Sequence, residues 1–163
     1  MSEIKLARVD FRLMHGQVVT TWIQQVSADA ILIVDDKLAS DKFLAQVFLM
    51  AAPPGVKISI KSIKKAVLGA EKGAYKNLNL LVLFKSIENA QKAIEAGFPI
   101  QSLQIGGLGS GTDKVMISNE ISLSQKEADI LEDLSKKGIN ITLQVTPKDP
   151  LITLDEALKE VRK

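Results

Sequence analysis

Residues 78–97 read LNLLVLFKSIENAQKAIEAG, and this stretch decides the fold. Its first seven residues are apolar except for Asn79, the pattern of a strand covered on both faces and therefore central in a sheet. Ser86 is suited to accept the first free amides of a helix. Gly97 stands where a helix can end in the left-handed region. The stretch therefore spells out one strand–turn–helix unit.

The same cadence continues toward the N-terminus. VKISIK (56–61) alternates as a strand, and Ser62 caps a helix running to about Gly73. AILIV (30–34) is a second fully apolar strand. Between them a helix over about 40–51 is expected to carry Phe43, Leu44, Val47 and Phe48 inward, with Leu49 and Met50 also read as core. It stops at Pro53-Pro54-Gly55. A first strand over about 3–9 precedes a helix over about 17–26, whose Val18, Val19, Trp22, Ile23 and Val26 share one face.

Toward the C-terminus, SLQI (102–105) is a short strand followed by the glycine-rich GGLGSG. VMIS and EISL form one or two short strands. Ser124 with Glu127, and Thr153 with Glu156, are S/T-x-x-E capping boxes opening two further helices, the first ending near Gly138. INITLQV (139–145) alternates, as expected of a strand with one exposed face or at a sheet edge. The class predicted is α/β: an open, predominantly parallel sheet of about six or seven strands with helices on both faces, in a single domain over 1–163.

Composition narrows the function. The chain is 46% hydrophobic and 25% charged, with a net charge of +2, which gives no pull toward a polyanion. Aromatics at 4% are too sparse for a base-stacking surface, so no nucleic-acid partner is expected. The absence of cysteine removes disulfides and thiol chemistry, and a single histidine removes a histidine-rich metal site. No metal and no cofactor are expected. MSEIKLARVD lacks an apolar signal core and no apolar run is long enough to span a bilayer. The expectation is a cytoplasmic protein, held at a membrane, if at all, by another chain.

The single histidine, His15, lies in RVDFRLMHGQVV (8–19), directly after the first strand and just before a helix. In open α/β sheets active groups gather at such carboxyl-end loops. The amides of Gly16, Gln17 and Val18 would sit at the positive end of that helix, suited to an anion. Arg12 offers planar, permanently charged donors for phosphate oxygens. Asp10 could orient Arg12 or fix the imidazole tautomer. The residues admit two readings: a phosphorylatable histidine, or a hydrogen-bonded loop of Asp10, Arg12 and His15 with no chemistry. GGLGSGTDK matches neither G-x-x-x-x-G-K-[ST] nor G-x-G-x-x-G and reads as a turn. Asp35-Asp36 reads as a solvated pair near a helix start rather than a metal pocket.

RVDFRLMHGQVVTTW resembles the R-[IV]-D-x-R-L-x-H-G-Q-V signature of the IIB components of the mannose/sorbose-family sugar phosphotransferase system. The likeness continues in order through ILIVDD, MAAPPGVK, LLVLFKS, EAGFPI and QIGG. It implies a phosphocarrier that takes a phosphoryl group from phospho-IIA and passes it to a sugar entering through the membrane subunits IIC and IID. His15 falls on the phosphorylated histidine, modified at the ring nitrogen nearer the backbone. Arg12 and Asp10 fall on characteristic loop residues. Phe11 departs from the pattern, where relatives commonly carry a polar residue, and so does the glycine loop over 106–111. Other readings are a regulatory protein phosphorylated on His15 and a small nucleotide-binding α/β domain. Assembly into a homo-oligomer is left open.

Overall fold

The structure, a computed structural model, describes residues 3–163; residues 1 and 2 of the expected 1–163 domain lie outside them. Strand β1 (Glu3–Asp10) leads to helix α1 (Gly16–Val26), β2 (Ala30–Val34), α2 (Asp36–Ser40) and α3 (Lys42–Met50). There follow β3 (Lys57–Lys61), α4 (Ile63–Glu71), β4 (Asn79–Phe84), α5 (Ile87–Glu95) and β5 (Ser102–Gly107). The chain closes with β6 (Lys114–Ser118), β7 (Ile121–Ser124), α6 (Gln125–Lys136), β8 (Asn140–Leu143), β9 (Ile152–Thr153) and α7 (Leu154–Val161).

Seven strands form one sheet in the order β3-β2-β4-β1-β5-β8-β9, parallel except for β9. β4 is flanked by β2 and β1, as its apolar sequence requires, and Leu80 to Phe84 are all buried. Helices α4, α5, α6 and α7 cover one face through Ala66, Ala90, Leu131 and Ala157. Helix α1 covers the other through Val19 and Ile23, with Leu38 of α2 and Phe48 of α3. The class and layering match the sequence reading. Both capping boxes form, and Ser86 caps α5 while Gly97 follows it at φ 104°.

Three expectations need correction. The helix expected over 40–51 is α3, capped by Asp41, which accepts from Leu44 N–H (3.0 Å); the separate short α2 before it is capped by Asp35, which accepts from Leu38 N–H (2.8 Å). The inward face assigned to α3 fails. Phe43 is 81% exposed, Met50 78%, and Leu44, Val47 and Leu49 are exposed too, so only Phe48 of the named residues packs on the core, and then partly. Asp35 is buried rather than solvated, and its second oxygen accepts from Asn89 (3.2 Å). The strand read over 139–145 is the shorter β8, inside the sheet edge that the two-residue β9 forms. VMIS and EISL form a separate antiparallel hairpin, β6–β7.

β1 sits at the middle of the sheet, and the chain leaves it toward β2 on one side, while β4 connects across it to β5 on the other. A crevice opens at the carboxyl ends of strands where connections diverge in this way. The loop that fills it is residues 11–15.

Candidate active site

His15 is the residue before α1 begins, in extended backbone (φ −147°, ψ 134°), and its side chain makes no capping bond. A serine or aspartate there would use its oxygen on the helix amides; the imidazole leaves them open. The first amides of α1, those of Gly16, Gln17 and Val18, have no carbonyl of their own helix to bind and carry the positive end of its dipole.

Two left-handed residues bracket the histidine. Gly16 has φ +49°, with nothing close to where a Cβ would stand, so a glycine is needed there for backbone reasons alone. Leu13 has φ 55°, which costs an L-residue about 1–2 kcal/mol. Its side chain is buried against Val19, Leu38 and the sheet. Burying a leucine contributes about 1.5–3 kcal/mol, enough to hold the strained turn. Leu13 N–H donates to Asp10 O (2.9 Å), closing that turn.

Asp10 is 1% exposed and works on the loop backbone: its Oδ1 accepts from the Arg12 backbone N–H (3.0 Å). Its Oδ2 lies 3.8 Å from His15 Nδ1, beyond hydrogen-bonding range but close enough to attract an imidazolium. Neither nitrogen of His15 has a hydrogen-bond partner, and both are shielded from solvent. The Arg12 guanidinium turns away from Asp10. It donates to Glu120 Oε2 (3.1 Å) and lies 5.2 Å from the centre of the Phe11 ring. Phe11 is 39% exposed and is not part of the hydrophobic core.

Beneath the loop lies a residue to which the sequence reading gave no role. Arg8 is 2% exposed and donates to Gln104 Oε1 (2.5 Å), Gln144 O (2.9 Å), Val145 O (2.8 Å) and Asp10 Oδ2 (3.5 Å). Its guanidinium lies 5.3 Å from the Trp22 ring centre, and Trp22 Nε1 donates to the same Val145 carbonyl (2.9 Å). Burial outweighs the opposing pull of Asp10 and leaves the guanidinium pKa lowered to about 10, so it stays charged at neutral pH. This network explains the two glycines after β5's apolar residues. A Cβ at Gly106 would overlap the Arg8 guanidinium, and one at Gly107 would meet Asp10 Oδ1 at 2.8 Å. The glycine pair makes room for Arg8 and Asp10.

The structure thus brings Asp10, His15, Gly16 and Gln17 together at one strand end, with Arg12 on the same loop but held outward. Glu120, on the turn between β6 and β7, is the polar neighbour that sequence reasoning missed; nothing local marks a residue 108 positions from its partner. A cavity of about 310 Å3 lies beside Glu120, lined by Asn119, Gln144, Val145 and Asp149 among others. A larger one, about 490 Å3, lies toward the strand starts around Ile4–Ala7 and Pro99–Gln104, and takes in none of the loop.

Residues 4–163 match the family model for the PTS system sorbose subfamily IIB component. The chain is 32% identical to the PTS system fructose-specific EIIB component of Bacillus subtilis over 163 residues, covering 100% of both chains. It is 33% identical to the PTS system sorbose-specific EIIB component of Lacticaseibacillus casei over 158 residues, covering 97% of this chain and 96% of the relative. The crystal structure of the IIBSor domain of the sorbose permease from Klebsiella pneumoniae superposes with a TM-score of 0.88 at 31% identity, covering 96% of this chain and 97% of that one.

Proposed function

On the premise that the chain belongs to the family of PTS sorbose-subfamily IIB components, we propose that His15 carries the phosphoryl group in its reaction. The chain is a sugar-specific phosphotransferase subunit, and its family implies IIA and IIC/IID components as partners. The observation that carries the assignment to His15 is its place: at the carboxyl end of the central strand, before the free amides of α1, with no other task for its ring nitrogens. Gly16, Gln17 and Arg12 are the groups suited to hold phosphoryl oxygens, and Asp10 shapes the loop through the Arg12 amide.

Transfer from a phosphohistidine on IIA forms one P–N bond at a His15 ring nitrogen as the P–N bond to the donor breaks. The departing imidazole keeps the electron pair and takes up a proton, while His15 sheds one. The same exchange toward a sugar hydroxyl ends in a sugar phosphate. The neutral imidazole is the nucleophile, and Arg and amide donors offset the charge on the phosphoryl oxygens. In the resting structure both ring nitrogens are covered and Nδ1 faces Asp10. Transfer therefore needs the ring to expose one of these nitrogens to the donor.

Among the described residues no helix is long and apolar enough to cross a membrane. In this reading the chain works on the cytoplasmic side and meets the membrane only through IIC and IID. The test is labelling from phosphoenolpyruvate through enzyme I, the histidine carrier protein and a IIA component. An acid-labile, base-stable label on the wild type and none on His15→Ala is expected; undiminished label on His15→Ala overturns the assignment. Onward transfer to fructose, sorbose, mannose and N-acetylgalactosamine with IIC and IID present then identifies the sugar.

A further inference from the structure

Arg12 is the one loop cation suited to grip a phosphoryl group, yet its guanidinium is engaged by a carboxylate from elsewhere in the fold. The turn that carries it is placed firmly. The Glu120 backbone O accepts from Leu108 N–H (2.8 Å), Leu108 bridges to Ile121, and Gly107 O, one residue earlier, accepts from Phe11 N–H (3.0 Å). The Glu120 turn therefore hangs on Leu108 and the His15 loop on Gly107, adjacent residues at the end of β5. The β6–β7 hairpin, which belongs to no part of the main sheet, delivers Glu120 to this spot.

Resting on His15 as the phosphocarrier, we propose that Glu120 is a positioning residue for the transfer, acting through Arg12. It holds the guanidinium while His15 is unmodified and contends with the phosphoryl group for it afterwards, so the group is kept loosely and handed on readily. The energetics fit a contest rather than a lock. Both partners are half-exposed, 42% for Arg12 and 44% for Glu120, and exposed pairs are weak. A phosphoryl group carries more charge than a carboxylate and accepts the guanidinium fork bidentately, so it wins. It wins by less than it would with Glu120 gone. An exposed pair accounts for up to about a fivefold change in an equilibrium. Glu120→Gln should therefore favour the phosphorylated chain about two- to fivefold.

The experiment places 15N-labelled wild type and Glu120→Gln in one tube with potassium phosphoramidate and ammonium at a fixed ratio. The His15 nitrogen attacks phosphorus, the donor P–N bond breaks and ammonia leaves with a proton, so both chains equilibrate against the same donor. Intact mass spectrometry reads the two occupancies. Expected are about two- to fivefold higher phosphorylation equilibrium for Glu120→Gln, and a difference that collapses when both chains also carry Arg12→Gln. Glu120→Asp, which keeps the charge, should stay near wild type, and equal melting temperatures show that folding is unchanged. Equal occupancy of Glu120→Gln and wild type, or a shift that survives Arg12→Gln, overturns the proposal while leaving His15 as carrier. Label that persists on His15→Ala would instead remove the reading on which the proposal rests.

Discussion

Gly106→Ala adds one methyl group, and the structure puts that methyl inside the Arg8 guanidinium. A flexible arginine tip could ordinarily step aside. Arg8 cannot do so cheaply, because it is 2% exposed and bound to Gln104, Gln144, Val145 and Asp10 at once. Clearing the overlap takes the guanidinium off at least two of these partners. At about 1.5–3 kcal/mol for each hydrogen bond to a charged group, the loss is about 3–6 kcal/mol. The lower chain entropy of alanine in the unfolded state returns about 0.4–1 kcal/mol. The net destabilisation is about 2–5 kcal/mol, which in a chain of this size lowers the melting temperature by about 4–20 °C. Urea denaturation followed by far-UV circular dichroism, with calorimetry alongside, measures it. Gly109→Ala is the control, since nothing lies within 4 Å of its Cβ position and its φ is outside the left-handed region. In an Arg8→Met background the Gly106→Ala penalty should largely vanish, because the overlapping group is gone. If Gly106→Ala melts with the Gly109→Ala control, the reasoning is refuted.

Phe11→Ala should change the melting temperature little, because the ring packs on Arg12 at the surface rather than in the core, while binding of phospho-IIA, measured by titration calorimetry, weakens by about 1–3 kcal/mol. Phe43→Ser should leave stability within about 0.5 kcal/mol in a urea titration, since the side chain is already 81% exposed. Arg162 donates to Asp129 (2.9 Å) and Glu132 (3.1 Å), and these bonds hold both carboxyls below their ordinary values. A depressed carboxyl stabilises the fold above its unfolded-state range and stops doing so as pH falls through its native value. The melting difference between wild type and Arg162→Ala should therefore be present at neutral pH and close below about pH 4, and added salt should narrow it too.

What could be read from the sequence was local. Ser86, Ser124 and Thr153 each cap the helix that follows them, and the apolar run at 79–84 is flanked by strands on both sides. α3 shows where locality ends. In KFLAQVFLM nearly every position is apolar, so periodicity marks a helix without marking which stripe is covered. The fold places Phe48 against the sheet and leaves Phe43, Val47 and Met50 outside. In the candidate site, His15 and Arg12 could be singled out because they lie within one motif. The purpose of Gly106 and Gly107 was not, because the side chains that need their space come from another strand. Glu120 and the Arg8 network were invisible for the same reason.

The bonds that shape the His15 loop also set an order of events during synthesis. Arg8 meets its carbonyl partners 136 and 137 residues later, Trp22 meets Val145 at a separation of 123, and Arg12 meets Glu120 at 108. β1, which carries the loop, is made well before its flanking partners β4 and β5 and the segment that accepts from Arg8. At about 5–20 residues per second, the ribosome spends several seconds between making His15 and releasing the last groups that fix its surroundings. A nascent or truncated chain ending before Gln144 would own His15 but hold a charged guanidinium in an unfinished core. On the role proposed for His15, competence to carry a phosphoryl group is therefore coupled to the arrival of Gln144 and Val145, and the loop serves as a built-in check that this distant segment has been made and folded.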